Sequence, residues 1–99
     1  MTNTEKVEKI IPWIDPQERV TVQFLDASDL NAEVTDCSDE SVSLAIETHV
    51  PHMKQRISVA LSHTNVSEDP SHYTRDPDRP LSPRRLMLII DEKRPPIIY

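Results

Sequence analysis

Glycine is absent from the 99 residues, although an average usage of about 7% predicts about seven glycines in a chain of this length. Phosphate-cradling P-loops, dinucleotide-binding fingerprints and the nucleophile elbow of hydrolases all need glycine where the backbone approaches a ligand or takes a positive φ. These three kinds of site are therefore excluded. Turns that need a left-handed residue must use Asn or Asp instead. The candidates lie between apolar runs and are Asp26, Asp29, Asn31, Asp36 and Asp39.

Long apolar runs and paired cysteines are also missing. The longest wholly apolar run is residues 86–90, which is too short to cross a bilayer, so we expect no membrane span. The single Cys37 cannot form an internal disulfide, and we expect it to be a half-buried residue at a strand end. Residues 1–15 lack the apolar core of a secretory signal. These features predict a cytoplasmic protein.

Charge is unevenly distributed along the chain, whose net charge is −6. Of the 17 acidic residues, 11 lie within residues 1–50, and that half holds only three of the 11 basic residues. An acidic surface is repelled by nucleic-acid phosphates, and one Trp, two Tyr and one Phe offer few surfaces for base stacking. An RNA-binding SH3-like barrel is therefore disfavoured, and we expect no nucleic-acid partner.

Catalytic and metal sites have little support in the sequence. His49 and His52 have H-x-x-H spacing, but a metal site needs three or four converging ligands and Cys37 is the only thiol. Ser, His and Asp residues are present, but without glycine no oxyanion-binding loop is indicated. We expect neither an enzyme nor a bound metal or cofactor.

The N-terminal segment, residues 1–16, predicts a short helix or an arm. Thr2 and Glu5 have the spacing of a capping box, and apolar residues recur at helical spacing until Pro12. A helix over residues 3–11 would place Ile10, Ile11 and Trp13 on the domain. The alternative is a solvent-exposed, disordered arm.

From Arg19 onward the apolar period changes to two, which predicts short strands. Alternating runs occur at residues 19–25, 32–37, 41–47, 56–63 and 85–91. Four strands separated by polar turns, with a fifth near the end, predict an all-β fold, a small antiparallel barrel of five or six strands over residues 17–91. The predicted core comprises Val20, Val22, Phe24, Val34, Val42, Leu44, Ile46, Ile57, Val59, Leu61, Leu88 and Ile90.

Two segments have no strand periodicity. Residues 64–84 contain four prolines and predict a long loop, and loops of that length are commonly functional or loosely ordered. Residues 92–99 form a tail in which Pro95 and Pro96 stop any regular strand. The tail ends in apolar residues that either complete the core or form an interface.

The string of strands around Asp36, Ser38 and Ser41 resembles the PilZ domain family. In that family a strand ends in a [D/N]-x-S-x-x-G motif, a second strand follows at once, and a third follows an intervening turn. The likeness covers roughly residues 17–91 and implies a six-stranded barrel. Many PilZ domains bind cyclic di-GMP, and others are adaptors in pilus assembly, motility and secretion.

The resemblance implies roles for particular residues. Asp36 and Ser38 stand where the family has guanine-contacting residues, and Ser41 stands in place of the motif's glycine. The R-x-x-x-R motif that precedes the first strand in the family's receptors is reduced here to Arg19. A second R-x-x-x-R spacing, Arg75 to Arg79, follows the D-x-S element instead of preceding it.

The predicted function is therefore a non-enzymatic, PilZ-like regulatory adaptor that binds a protein partner in bacterial signalling, motility or secretion, with a degenerate cyclic di-GMP motif. Residue types enriched at binding hot spots predict the partner surface. Its candidates are Tyr73, Arg75, Arg79, Ile97, Ile98 and Tyr99. The alternative is a cyclic di-GMP receptor whose ligand contacts would come from Arg19, Asp36, Ser38, Ser41, Arg75 and Arg79.

Overall fold

The computed structural model describes residues 1–14, 18–69 and 85–98. In these ranges the chain forms one short helix and a single six-stranded sheet, so the all-β prediction with a short N-terminal helix is confirmed. The elements are α1 (Asn3–Ile10), a 3₁₀ turn (Ile11–Trp13), β1 (Arg19–Gln23), β2 (Leu30–Cys37), β3 (Ser41–Glu47), β4 (Lys54–Ala60), a second 3₁₀ turn (Leu61–His63), β5 (Thr64–Glu68) and β6 (Leu86–Ile90).

The N-terminal helix is capped as the sequence predicts. The Thr2 hydroxyl accepts a hydrogen bond from the Glu5 amide at 3.2 Å and donates to the Glu5 carboxylate at 3.3 Å, so one of the free amides of the first turn has a partner. Pro12 changes the last turn to 3₁₀. The result is a packed helix, because Ile10 has no exposed surface.

The strands are ordered β4-β3-β2-β1-β6-β5 across the sheet. Strands β1 to β4 form an antiparallel meander, and β5 is antiparallel to β6. The ladder between β1 and β6 is parallel, with Thr21 opposite Met87, and this ladder departs from the wholly antiparallel arrangement that we expected. A register shift between Val34 and Asp36 marks a bulge in β2, which increases the local twist of the strand.

The sheet must be strongly curled. Its two edge strands, β4 and β5, would be about 24 Å apart in a flat six-stranded sheet. They are joined by the three-residue 3₁₀ turn Leu61–His63, and four residue steps span at most about 14 Å. The two edges therefore approach each other at this turn although no ladder joins them, which makes the sheet an incompletely closed barrel.

The core lies inside the curl and follows the predicted strand phase. Eleven of the 12 predicted core residues are buried there, and Ile57 is half-buried at the edge strand β4. The buried hydrophobic residues beyond the prediction are Ile10, Ala32, Ala45 and Leu86. Helix α1 contributes Ile10 and contacts β2, β5 and the Leu61–His63 turn. Within this contact the Lys6 ammonium donates to the Leu61 carbonyl at 2.6 Å.

Three local predictions need correction. Residues 64–68 are a strand and not the start of the long loop; Thr64 occupies a buried position where the pattern lacked an apolar residue. Ile11 is 52% exposed, so it does not pack on the domain. Of the five residues proposed for left-handed turns, Asp29 alone has a positive φ, 57°, and His52 is the other described residue that has one.

Candidate functional site

The D-x-S element forms the tight turn between β2 and β3. Ser38 and Ser41 close it, because the Ser38 amide donates to the Ser41 carbonyl at 2.8 Å. The Ser38 hydroxyl accepts from the amides of Ser41 at 3.1 Å and Glu40 at 3.3 Å. The Asp36 carboxylate accepts from the Cys37 amide at 2.9 Å. The polar groups of this element are thus engaged in holding the turn.

Ser41 fits this turn without backbone strain. Its φ is not positive, so the residue needs none of the conformational freedom that a glycine would supply at this place. Asp36 and Ser38 are exposed, and Ser41 is half-buried. The turn presents three carboxylates to solvent, those of Asp36, Asp39 and Glu40, and no cationic side chain of its own.

Arg19 lies away from this turn. Its guanidinium pairs with the Glu47 carboxylate at 2.9 Å, and Glu47 is at the opposite end of β3 from Ser41. Six residues of strand separate these two positions by about 20 Å. The structure therefore does not bring Arg19 to Asp36 and Ser38.

Arg19 belongs instead to a crossed pair of ion pairs on the outer face of the sheet. Strand register places Arg19 opposite Glu33 and Glu47 opposite Lys54. The salt bridges cross this register, because Lys54 contacts Glu33 at 2.9 Å while Arg19 contacts Glu47. The four charges balance, so this patch is not a cationic site for an anion.

The loop and tail candidates divide into two groups. Tyr73, Arg75, Arg79 and Tyr99 lie outside the described residues. Ile97 is half-buried, and Ile98 is 89% exposed, the most exposed large hydrophobic residue of the described chain. The base of the segment 70–84 is described: the Asp69 amide donates to the Arg85 carbonyl at 2.7 Å.

The C-terminal tail is fixed across the ends of several strands. The Arg94 amide donates to the Asp26 carboxylate at 2.8 Å, and its guanidinium donates to the Gln55 side-chain oxygen at 2.8 Å. The Gln55 amide group in turn donates to the Pro95 carbonyl at 2.7 Å. Gln55 is on the core-facing side of β4, opposite Ile46, so the tail covers the core-facing side of the edge strand.

A groove lies where the tail meets β4. It has a volume of about 250 Å³, and its apolar lining comes from Met53, Ile57, the two prolines and Ile97–Ile98, with Lys54 and Arg56 at its side. We call this surface the tail groove. It adjoins a second shallow pocket of about 330 Å³ at the β3–β4 turn, which is lined in part by Arg19, Glu47 and His52.

Cys37 does not have the environment of a reactive thiol. Partial burial raises the pKa of Cys37, and the neighbouring Asp36 carboxylate raises this pKa further. A raised pKa lowers the thiolate fraction at neutral pH, and the thiolate is the nucleophile and the metal ligand. Cys37 is half-buried at the end of β2, as the sequence predicts.

The described residues contain no group of three or more His, Cys, Asp or Glu side chains that converge as metal ligands. No helix in the described ranges has both the length and the apolar character needed to cross a bilayer.

Comparison of the chain with protein-family models, with curated protein sequences and with solved structures finds no match. The resemblance to PilZ domains is therefore untested by these comparisons and stays a prediction from the D-x-S element and the strands that flank it.

Sequence reasoning missed the residues that fix the tail and the loop base. Gln55, Arg94 and Asp26 converge from three distant segments. Asp69 is 4% exposed and accepts a hydrogen bond from the Thr21 hydroxyl at 2.6 Å. One signal was available: Gln55 is a polar residue at a position where the alternation of β4 calls for an apolar one.

Proposed function

We propose that the protein is a non-enzymatic, PilZ-like regulatory adaptor that binds a protein partner through the tail groove. The observation that carries this proposal is the exposed Ile98 beside an apolar groove that is fixed by Gln55 and Arg94. Exposed apolar side chains that cluster with others are typical of interaction surfaces. Bacterial signalling, motility or secretion is the setting that the PilZ likeness suggests.

The groove has the composition of a small interface. Six of its ten lining residues are apolar, and the others include Lys54 and Arg56, a mixture that is found in many protein interfaces. The hydrogen bonds of the tail hold this surface in place before a partner arrives, which lowers the entropic cost of binding.

The proposal is tested with Ile98→Asp in the full-length chain. The matched control is Ile11→Asp, which makes the same change at another exposed isoleucine. Partners captured from the native host by the unchanged protein are identified, and each purified partner is then titrated by calorimetry. We expect Ile98→Asp to weaken binding at least tenfold and Ile11→Asp to leave it unchanged. Equal affinity of both variants would remove the tail groove as the binding surface.

The alternative function, a cyclic di-GMP receptor, has less support from the geometry. The Ser38 hydroxyl is bonded within its turn, and Arg19 is paired with Glu47 about 20 Å along the sheet. Calorimetry with cyclic di-GMP separates the two functions. A low-micromolar dissociation constant that is lost in the Asp36→Ala, Ser38→Ala double variant would replace the adaptor proposal with the receptor.

A further inference from the structure

Strand β4 is an edge of the sheet, and its register shows which backbone groups face outward. The Leu61 amide donates to the Glu40 carbonyl at 2.9 Å, which makes Leu61 and Glu40 a hydrogen-bonded pair. Such pairs alternate along an antiparallel ladder. Gln55, Ile57 and Val59 therefore bond β3, and the backbone N–H and C=O groups of residues 54, 56 and 58 point away from the sheet.

No described element covers this outward edge. β4 forms a ladder with β3 alone among the described strands, and β5, which follows the Leu61–His63 turn, forms its ladder with β6. The tail meets β4 through the Gln55 side chain. No backbone hydrogen bond joins the tail to β4 in the described chain. Proline lacks an N–H, so Pro95 and Pro96 cannot donate to the edge.

The two sides of this edge differ in chemistry. On the outer face, Arg56 is exposed, and it forms no ion pair within the described residues. On the core-facing side, half-buried Ile57 and the tail groove offer an apolar surface. A strand laid along β4 would place alternate side chains on these two faces.

We propose that the outward edge of β4 binds an extended, acidic peptide segment of a partner protein as an added strand. Main-chain hydrogen bonds would come from residues 54, 56 and 58, as in other β-strand additions. Specificity would come from two adjacent side chains of the peptide. An acidic one would lie opposite Arg56, and an apolar one would lie in the tail groove. This inference rests on the proposed adaptor function and specifies the partner's chemistry.

Charge complementarity favours this partner over a second copy of the chain. Lys54 is neutralised by Glu33, so the exposed Arg56 supplies the unpaired positive charge of this edge, although the chain carries a net charge of −6. Antiparallel pairing of two β4 strands would bring basic side chains together without adding a carboxylate. An acidic segment supplies the missing opposite charge, and cross-strand pairs of opposite charge stabilise sheets.

The test uses two labelled eight-residue peptides, TEVEVEVT and its lysine counterpart TKVKVKVT, with the full-length chain. We expect the glutamate peptide to bind more tightly than the lysine peptide by roughly five- to tenfold. In amide hydrogen exchange, the amides of Arg56 and Ser58 should gain protection when the glutamate peptide is bound. Arg56→Glu should reverse the preference between the peptides, and this exposed substitution leaves the fold intact.

A matched pair of variants tests the backbone contribution. Ser58→Pro removes one outward N–H and should weaken glutamate-peptide binding at least tenfold, while Ser58→Ala retains the N–H and should bind normally. Edge strands tolerate proline where the N–H faces solvent, and circular dichroism checks the fold of each variant. Equal binding of both peptides, or unchanged exchange at Arg56 and Ser58, would overturn the proposal.

Two further outcomes separate this inference from the adaptor function. If partner capture depends on Ile98 but neither peptide binds the edge, the adaptor stands and strand addition is wrong. If the free protein sediments as a dimer with its Arg56 and Ser58 amides already protected, the edge pairs with a second copy and the acidic-peptide proposal is overturned.

Discussion

The burial of Leu44 tests the prediction of which side chains of β3 face the core. Leu44 lies in β3 and is 1% exposed. We expect Leu44→Ala to lower the free energy of unfolding by about 2–5 kcal/mol, because the change removes buried apolar surface and leaves a cavity. Urea unfolding measures the difference. Leu25→Ala is the control, since Leu25 is 65% exposed and should shift stability by no more than about 0.5 kcal/mol.

The thiol of Cys37 offers a second prediction at this scale. Since burial and then the Asp36 carboxylate raise its pKa, alkylation by iodoacetamide should have its pH midpoint above that of a free cysteine. Asp36→Asn removes the negative charge and retains an oxygen that can accept from the Cys37 amide. This variant should therefore shift the midpoint to lower pH, though not to that of free cysteine, because burial persists. An unchanged midpoint would contradict the assigned role of Asp36.

Single residues also show how far sequence reading extends. Alternation identifies Val20, Val42 and Leu44 as core because each strand has one solvent-exposed face and one core-facing side. It does not identify Gln55, since the acceptor that justifies a polar residue there is a carbonyl forty positions away. It also assigns Ile57 to the core, although an edge strand can leave its inward side chain half-covered.

At the scale of elements, the tail is partly docked. Ile97 is half-buried and Gln55 bonds two tail carbonyls, while Ile98 is exposed. A chain that ends at Arg94 keeps the contacts of Arg94 with Asp26, Gln55 and Glu47. It loses the Gln55 hydrogen bonds to the Pro95 and Pro96 carbonyls and the half-buried Ile97. We expect it to be less stable by about 1–3 kcal/mol.

Thermal unfolding of this truncated chain, followed by circular dichroism, measures the loss. The comparison variant is Ile98→Ala in the full chain, which should leave the melting temperature nearly unchanged because Ile98 is 89% exposed. An unaltered melting temperature after truncation would mean that the tail is not docked in solution.

Element prediction succeeds where the apolar pattern is strong. Residues 41–47 and 86–90 carry dense apolar positions, and both are strands. Residues 64–68 have only Val66 as an apolar signal, so β5 could not be distinguished from a loop. Its inward position is occupied by Thr64, whose hydroxyl donates to the Ala60 carbonyl at 2.9 Å. A threonine that satisfies its own hydroxyl is compatible with burial.

At the scale of the whole molecule, we expect the helix and the sheet to unfold as one cooperative unit. Ile10 is fully buried among strand residues, and half-buried Trp13 packs against the same core. Ile10→Ala should therefore destabilise the sheet as well as the helix, by about 2–5 kcal/mol.

Trp13 is the only tryptophan and reports the docking of the N-terminal segment. Thermal unfolding measured by its fluorescence and by far-ultraviolet circular dichroism should have one midpoint temperature. Ile10→Ala should lower this midpoint equally in both measurements. A fluorescence transition that precedes the loss of strand signal would instead identify the helix as a separately undocking arm.

The topology of the sheet lies beyond sequence patterning. Periodicity places strands along the chain, but which strands become neighbours depends on packing across distant segments. The parallel ladder of β1 and β6 is an example, since neither strand carries a mark of its partner. The hydrogen bonding of the D-x-S turn is a second example. The motif is visible in the sequence, but the hydrogen bonds that the Ser38 hydroxyl accepts within the turn are not.

The parallel ladder between β1 and β6 also has a consequence for folding during synthesis on the ribosome. β1 lies in the interior of the finished sheet, but its neighbour β6 is translated only after β2 to β5. Until β6 leaves the exit tunnel, one edge of β1 has no partner, and contacts between such distant segments form slowly. The nascent chain therefore passes through an interval in which the open side of β1 can pair with other chains, and chaperones that shield exposed strands would act in that interval.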